Sequence, residues 1–225
     1  MRIKRLLIIP ARSGSKRIKN KNFKNFKGRP IIGYSILTAL KSKIFDKIVV
    51  STDDRKYFKY LKKYSIDVSF RSKKLSNDNT TIESVLRSVL SEYETVGKIF
   101  HEIWSLTPCS PLIKKEDLIK ASILLKKNKK KIILPVSEYP VPVEWGFRLT
   151  KQKKLIPIKK NSYKIRSQDL LKSYYDTGNF VAIPAYHFKK KNIEFDKYYL
   201  GLEIPKHRSI DIDDLEDWKL AESLY

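Results

Sequence analysis

Apolar residues recur along this chain in two alternating rhythms. Arg5–Ala11 (RLLIIPA) and Lys47–Thr52 (KIVVST) are short continuous runs of the kind buried in a parallel sheet. Between them Pro30 opens a helical pattern of Ile31, Tyr34, Leu37, Ala39 and Leu40, with proline near the helix start, where its missing N–H costs little. Arg55–Tyr64 predicts a second helix and Asp67–Phe70 a third strand. Thr80–Tyr93 carries Ile82, Val85, Leu86, Val89 and Leu90 as a helical stripe, with Thr80 or Thr81 as cap. Ile99–Leu106, Lys114–Lys127 and Lys131–Val136 continue as strand, helix and strand. Strand followed by helix, four times over, predicts an α/β fold with a doubly wound, mostly parallel sheet.

The rhythm breaks near Pro135. Proline-rich Tyr139–Val143, a hairpin around Lys151–Lys153 and the stretch to Tyr175 fit neither period. Residues 137–178 therefore read as an insertion outside the main sheet, within a single domain spanning residues 1–225. Phe180–Pro184 resumes strand character, Ser209–Ile212 predicts a short strand, and Leu215–Leu224 predicts a closing helix.

Composition narrows the class. With 41% hydrophobic residues the chain can build a core, which excludes the signature of disorder. No apolar run reaches the roughly 20 residues that span a bilayer, and Leu6–Pro10 is too short for a signal-peptide core. The expectation is a cytoplasmic protein without membrane association. The single cysteine, Cys109, excludes an intrachain disulfide and a thiolate metal cluster. The net charge is +24, but 37 lysines stand against 11 arginines, scattered singly or in short runs such as Lys129–Lys131 and Lys189–Lys191. Phosphate and base recognition favours clustered arginine forks. A solvated lysine surface is thus the simpler reading and a nucleic-acid-binding protein the weaker one. The positive field still draws in small anions such as nucleotides.

Three segments carry candidate chemistry. Ligands of open α/β sheets sit beyond the carboxyl ends of strands, and the first such loop is Pro10-Ala-Arg-Ser-Gly-Ser-Lys-Arg-Ile-Lys-Asn-Lys-Asn22. It matches neither GxxxxGK[ST] nor GxGxxG. It does combine Gly14, the hydroxyls of Ser13 and Ser15, and the cations Arg12, Lys16 and Lys21, the ingredients of a phosphate site. In Ser209-Ile-Asp-Ile-Asp-Asp-Leu-Glu-Asp-Trp218, Asp211 and Asp213 alternate with Ile210 and Ile212, so the two carboxylates point one way. Such a pair suits Mg²⁺ shared with substrate phosphates, while Asp214 is placed to cap the last helix. Finally, Asp53 or Asp54 of Ser51-Thr-Asp-Asp54 caps the next helix, leaving the other to face the cleft.

Taken in order, IIPARSGSKRIKNKN, VVSTDD, FRSKKLSND, TPCSPL, RSQDL and DIDDLEDW resemble the cytidylyltransferases that activate nonulosonic acids, the CMP-sialic acid synthetases and their legionaminic and pseudaminic relatives. The resemblance covers essentially the whole chain. It implies a mononucleotide-binding, Rossmann-like fold and a homodimer whose irregular middle segment crosses to the partner. It implies a reaction in which CTP and a free 2-keto sugar acid give CMP-sugar and pyrophosphate. Ala11, Arg12, Ser13, Gly14, Ser15, Lys21 and Asn22 would bind CTP, with Arg12 and Lys21 on the phosphates and Arg71 as a further nucleotide contact. Asp211 and Asp213 would hold Mg²⁺, and Lys21, Arg12 and Asp211 would carry catalysis. Arg166 and Gln168 of RSQDL would face the sugar acid, arginine suiting a carboxylate bidentately.

Departures from the family pattern point to a particular sugar. Thr107 stands where CMP-sialic acid synthetases carry a glutamine that reads cytosine. Tyr175-Asp-Thr-Gly-Asn-Phe180 replaces their NGAIY and is similar to the HDAGQF-like pattern of pseudaminic acid enzymes, which makes Asp176 and Asn179 sugar-pocket candidates. Val143-Glu-Trp145 does not follow the pseudaminic pattern. The expectation is a CMP-pseudaminic acid synthetase, with legionaminic, N-acetylneuraminic or related acids as alternative substrates. A nucleotide-sugar glycosyltransferase would also use a paired-aspartate metal site, but the Arg12–Asn22 loop argues against it.

Overall fold

Leu6, Leu7, Ile8 and Ile9 are fully buried, and the strand they form is the centre of the molecule. The computed structural model describes residues 2–77, 79–189 and 194–225. Asp78 of the FRSKKLSND stretch and Lys190 and Lys191 of the last lysine run lie outside them. After β1 (Arg5–Pro10) come a two-residue hairpin, β2 (Asn25–Phe26) and β3 (Arg29–Pro30), then α1 (Ile32–Ser42), β4 (Lys47–Thr52), α2 (Phe58–Lys62) and β5 (Asp67–Phe70). There follow α3 (Ile82–Thr95), β6 (Glu102–Leu106), α4 (Lys115–Lys127) and β7 (Ile132–Glu138). A second hairpin, β8 (Phe147–Leu149) and β9 (Leu155–Pro157), precedes β10 (Tyr174–Asp176), β11 (Phe180–Pro184), β12 (Tyr199–Glu203) and α5 (Leu215–Leu224).

One sheet runs β5-β4-β1-β6-β11-β7, with β12 beside β7 on its outer edge and β10 pairing the far end of β7. β1 pairs in parallel with β4 and β6, β4 with β5, and β7 with β12, whereas β11 runs antiparallel between β6 and β7. The alternation of β1 explains the layers, since neighbouring strand residues face opposite sides. Leu7 and Ile9 pack with Ile32 and Ile36 of α1, Leu61 of α2 and Leu118 of α4. Leu6 and Ile8 pack with Leu86, Val89 and Leu90 of α3. Helices thus cover both faces, as the strand–helix repeat requires.

Several boundaries differ from the pattern-based expectation. Pro30 closes the first hairpin, and α1 starts only at Ile32. The stretch from Arg55 becomes one helical turn (Arg55–Tyr57) and the five-residue α2. Thr81, not Thr80, caps α3, its hydroxyl accepting the Ser84 N–H at 3.2 Å. The expected strand Ser209–Ile212 does not form: the stretch pairs with no strand among the described residues, and buried Ile212, not a ladder, positions it. The hairpin around Lys151–Lys153 is present, paired from Phe147↔Pro157 to Leu149↔Leu155.

Candidate active site

Successive strands step from β1 to β4 and β5 on one side and to β6 on the other, so the strand order reverses between β1 and β6. A crevice opens at the carboxyl ends of such a pair. Here the loop after β1 (residues 11–22) and the loop after β6 (residues 107–110) enclose a hollow of about 370 Å³. Arg12, Ser15, Lys21, Asn22 and Thr107 line it, joined by Asp213 from the chain's far end. Its size is that of a small-molecule site.

The first loop holds its shape through its own side chains. Asn22 is buried; its amide donates to the Arg12 carbonyl at 2.9 Å, and its oxygen accepts from Cys109 Sγ at 3.3 Å. Ser13 commits its N–H and its hydroxyl to the two carboxylate oxygens of Asp53, each at 2.8 Å. Asp54 caps the following turn by accepting the Lys56 N–H at 2.9 Å, so Asp53 is the aspartate that turns toward the site. Gly14 has open space where a side chain would stand and no left-handed φ. It leaves the backbone there exposed, although Gly14 itself is not among the residues lining the hollow. Arg71 is not on the hollow's wall. Its guanidinium donates to the Ser51 carbonyl at 3.1 Å; burial lowers its pKa, Asp53 opposes that shift and Arg12 adds to it.

Across the hollow, Lys21 Nζ donates to the Ile212 carbonyl at 2.6 Å and lies 3.5 Å from Asp213 Oδ1, which also pairs with Arg17 at 2.8 Å. Exposed ion pairs of this kind contribute about 0–1 kcal/mol, while burying a side chain like Ile212 contributes about 1.5–3 kcal/mol. Ile212, wholly buried beside Phe26 and Trp218, therefore holds the segment in place, leaving the cations free to exchange partners. Arg208 anchors the segment's start through a buried bidentate pair with Asp117, at 3.0 Å on the Nη2–Oδ1 side. Asp211 is exposed and lines neither hollow, lying instead beside Gly178, yet surrounding protein and, next, the Asp213 carboxylate raise its pKa above the ordinary value. No hydrogen-bond donor meets that carboxylate among the described residues. No cluster of three or more protein ligands is present there either. Two crowded carboxylates facing a basic hollow suit a hard cation that completes its shell from phosphate and water. The donor set fits Mg²⁺.

A second hollow, about 300 Å³, meets the first at Ile82 and Thr107. Asp176 and Gly178 form part of its wall, with Leu134, Phe180, Phe195 and Tyr199 among its apolar lining. Gly178, at φ +66°, sits so close to Asp211 that a Cβ would stand 3.3 Å from Oδ2. Its carbonyl accepts the Thr107 hydroxyl at 2.5 Å, which commits that side chain to joining the two hollows. Asn179 is buried, its amide donating to Ser110 Oγ at 3.2 Å while its oxygen has no partner. Arg166 and Gln168 line neither hollow: Arg166 pairs with Asp169 at 2.9 Å, and Gln168 borders a separate depression with Tyr139 and Leu171. Cys109 does line the first hollow, but burial pushes its thiol up to about 12, so it is no nucleophile at neutral pH.

Of the expected residues, the structure brings Arg12, Ser15, Lys21, Asn22, Thr107 and Asp213 to one hollow and Asp176 to its neighbour. Sequence reasoning missed Arg17, Asp53's hold on Ser13, and Gly178. Arg17 could have been found, since it lies in the same basic loop. The other two depend on partners 40 and 33 positions away.

Comparison with known proteins gives consistent matches. A family model described as cytidylyltransferase matches residues 6–219. A pseudaminic acid cytidylyltransferase of Campylobacter jejuni is 33% identical over 99% of this chain and 97% of its own. An N-acylneuraminate cytidylyltransferase of Escherichia coli is 28% identical over 98% of this chain and 52% of its own. Among solved structures, a CMP:2-keto-3-deoxy-manno-octonic acid synthetase complexed with CTP superimposes with a TM-score of 0.71, covering 98% of each chain at 14% identity. That last likeness is one of fold.

Proposed function

This chain belongs to the cytidylyltransferase family, and from that premise we propose that it joins CTP to pseudaminic acid, giving CMP-pseudaminic acid and pyrophosphate. The observation that carries the reading is the double hollow. A basic loop suited to a triphosphate, with Asp213 on its hollow, and a second cavity with apolar walls share Ile82 and Thr107 as a common wall. In the reaction the sugar's anomeric hydroxyl attacks the α-phosphorus. An O–P bond forms, the bond to the bridging oxygen breaks, and pyrophosphate leaves with the electron pair while the hydroxyl proton passes to solvent.

Arg12 and Lys21 bind the phosphates, with Ser15 and the uncovered backbone at Gly14 beside them. On CTP binding Lys21 and Arg17 leave Asp213 for the more highly charged triphosphate. Asp211 and Asp213 hold a divalent cation, Mg²⁺, which when bound neutralises charge developing on the phosphates. The sugar acid takes the second hollow beside Asp176. Its apolar lining suits the acyl methyls and deoxygenated chain end of a diacylated nonulosonic acid better than the hydroxylated tail of N-acetylneuraminic acid. The name carried by the Campylobacter relative supports pseudaminic acid within that class.

Arg166 and Gln168 act in a second copy. Of the expected insertion 137–178, residues 137–138 and 174–176 are paired in the main sheet. Residues 139–173 form a dimerisation segment that carries Arg166 and Gln168 across, and its exposed apolar side chains, Leu149 at 66%, Leu155 at 56% and Leu171 at 86%, are the surface that a partner covers. The test is pyrophosphate release from CTP and Mg²⁺ with pseudaminic, legionaminic and N-acetylneuraminic acids in parallel. Release with pseudaminic acid alone is expected. Release with another acid alone would leave the nucleotide chemistry standing and reassign the sugar hollow; silence with all three would remove the proposed reaction.

A further inference from the structure

We propose that Asp53 is the positioning residue of the phosphate loop, holding it open for the triphosphate through Ser13 without touching substrate itself. The inference rests on the reading of residues 11–22 as the triphosphate site. Its ground is a convergence at the ends of two paired strands. β1 and β4 run parallel in a register that sets Pro10 against Ser51, and the Ala11 N–H donates to the Ser51 carbonyl at 2.8 Å. Pairing ends there, so the next residues of both strands leave the sheet side by side. Asp53 then receives both donors of Ser13, the N–H on Oδ1 and the hydroxyl on Oδ2, each at 2.8 Å.

Immediately beyond this clamp the loop turns back, the Ser15 N–H donating to the Ser13 carbonyl at 2.9 Å. The turn leaves Gly14 with nothing within 4 Å of where a Cβ would stand. A clamp on the protein side of Ser13 and open space at Gly14 are what a loop needs if its backbone is to meet a phosphate. Charge works in the same direction. Arg71 donates to the same Ser51 carbonyl at 3.1 Å, and Arg12 lies close enough to repel it. The Asp53 carboxylate opposes that repulsion at Arg71, so it places negative charge beside the loop as well as holding Ser13. Two hydrogen bonds to a carboxylate are each stronger than neutral ones, so losing both frees Ser13 to wander.

The experiment is calorimetric titration of CTP and of cytidine into Asp53→Ala, Asp53→Asn, Ser13→Ala and Lys21→Ala, with melting temperatures recorded alongside. Asp53→Ala is expected to weaken CTP by about tenfold or more and cytidine by less than about twofold. Asp53→Asn offers an acceptor to the Ser13 N–H and a donor to its hydroxyl oxygen, and recovers most of the loss. Ser13→Ala, which keeps the N–H bond, falls between. In steady state the Asp53→Ala defect lies in KM for CTP more than in kcat. Wild-type CTP affinity in Asp53→Ala with only a lowered melting temperature would overturn the proposal. So would equal loss of CTP and cytidine, or Asp53→Asn as damaged as Asp53→Ala. If Asp53→Ala does not fold, Asp53→Asn against Ser13→Ala decides: the proposal requires Ser13→Ala to bind CTP more weakly than Asp53→Asn. Lys21→Ala separates the two readings. If it leaves CTP affinity unchanged, the triphosphate site itself is misplaced; if it weakens CTP while Asp53→Ala does not, only the clamp falls.

Discussion

At the scale of single residues the site divides into side chains already engaged and side chains kept available. Asn22 and Ser13 have their polar groups committed to the protein, and the Thr107 hydroxyl is given to Gly178. Lys21, Arg17 and Asp213 are engaged only with one another or with the Ile212 carbonyl, contacts that a more highly charged ligand displaces. Gly14 gives this division a clean test. Its backbone is one that alanine adopts without strain, and nothing lies within 4 Å of the added Cβ. Gly14→Ala should leave the ligand-free protein as stable as before, or more stable by about 0.5 kcal/mol. If the triphosphate lies against Gly14 as proposed, the same methyl meets it and KM for CTP should rise about tenfold. Thermal melting with and without CTP checks both halves; a fall in ligand-free stability would show that Gly14 serves the fold.

At the scale of elements, the segment from Ser209 into α5 sets the helix cap that the sequence assigns to Asp214 beside the carboxylates proposed to hold a metal, Asp211 and Asp213. Asp214 caps α5, accepting the N–H groups of Glu216 at 2.9 Å and Asp217 at 3.0 Å, while Asp217 returns the bond to the Asp214 N–H at 3.0 Å. The Asp217 N–H, then that of Glu216, holds the Asp214 carboxyl below its ordinary value of 3.8. A depressed carboxylate contributes stability in full above that value and loses it as pH falls through the lowered one. The cap is thus intact at neutral pH and fails only in acid. Asp214→Ala should lower the melting temperature by a few degrees at pH 7 with kcat nearly unchanged, and the difference should vanish in strong acid. Asp211→Asn should do the reverse, leaving stability at least equal, since an uncharged group relieves repulsion from Asp213, and abolishing turnover more than CTP binding. Unchanged turnover in Asp211→Asn would remove the metal assignment. Ile212, buried beside Phe26 and Trp218 between Asp211 and Asp213, anchors the backbone of this segment.

At the scale of the whole molecule, the sheet is complete without residues 139–173, and that segment's apolar side chains stay exposed. Phe147 at 45% and Leu171 at 86% have no core of their own to enter. Association of two chains would bury this surface, and each exposed leucine covered contributes about 1.5–3 kcal/mol before the cost of association. Leu171→Glu should convert a dimer to a monomer by sedimentation while the sheet melts as before. If Arg166 and Gln168 reach the sugar across that interface, as proposed, KM for the sugar acid in that monomer should rise more than KM for CTP. A wild-type monomer with full activity would sink the dimer reading and leave RSQDL without a role.

The order of strands and helices, the burial of β1 and the basic character of its following loop were all legible in the letters, because periodicity and local composition act over a few residues. The motifs after β1 and before α5 stand out in the letters as candidates for phosphate and metal chemistry, and the structure brings their Arg12, Ser15, Lys21 and Asp213 to one hollow. What the letters could not supply were the joins between distant segments. Asp53 was seen as one of two equivalent aspartates until the pairing of β1 with β4 set it beside Ser13. No local pattern singles out Gly178, because Asp211, which a Cβ there would approach to 3.3 Å, lies 33 positions away in the chain. β12 went unread because it carries no apolar run; its place follows from pairing with β7. A local pattern determines which element a segment becomes, whereas a hydrogen bond between residues 40 positions apart exists only once the chain has packed, and only tertiary structure decides it.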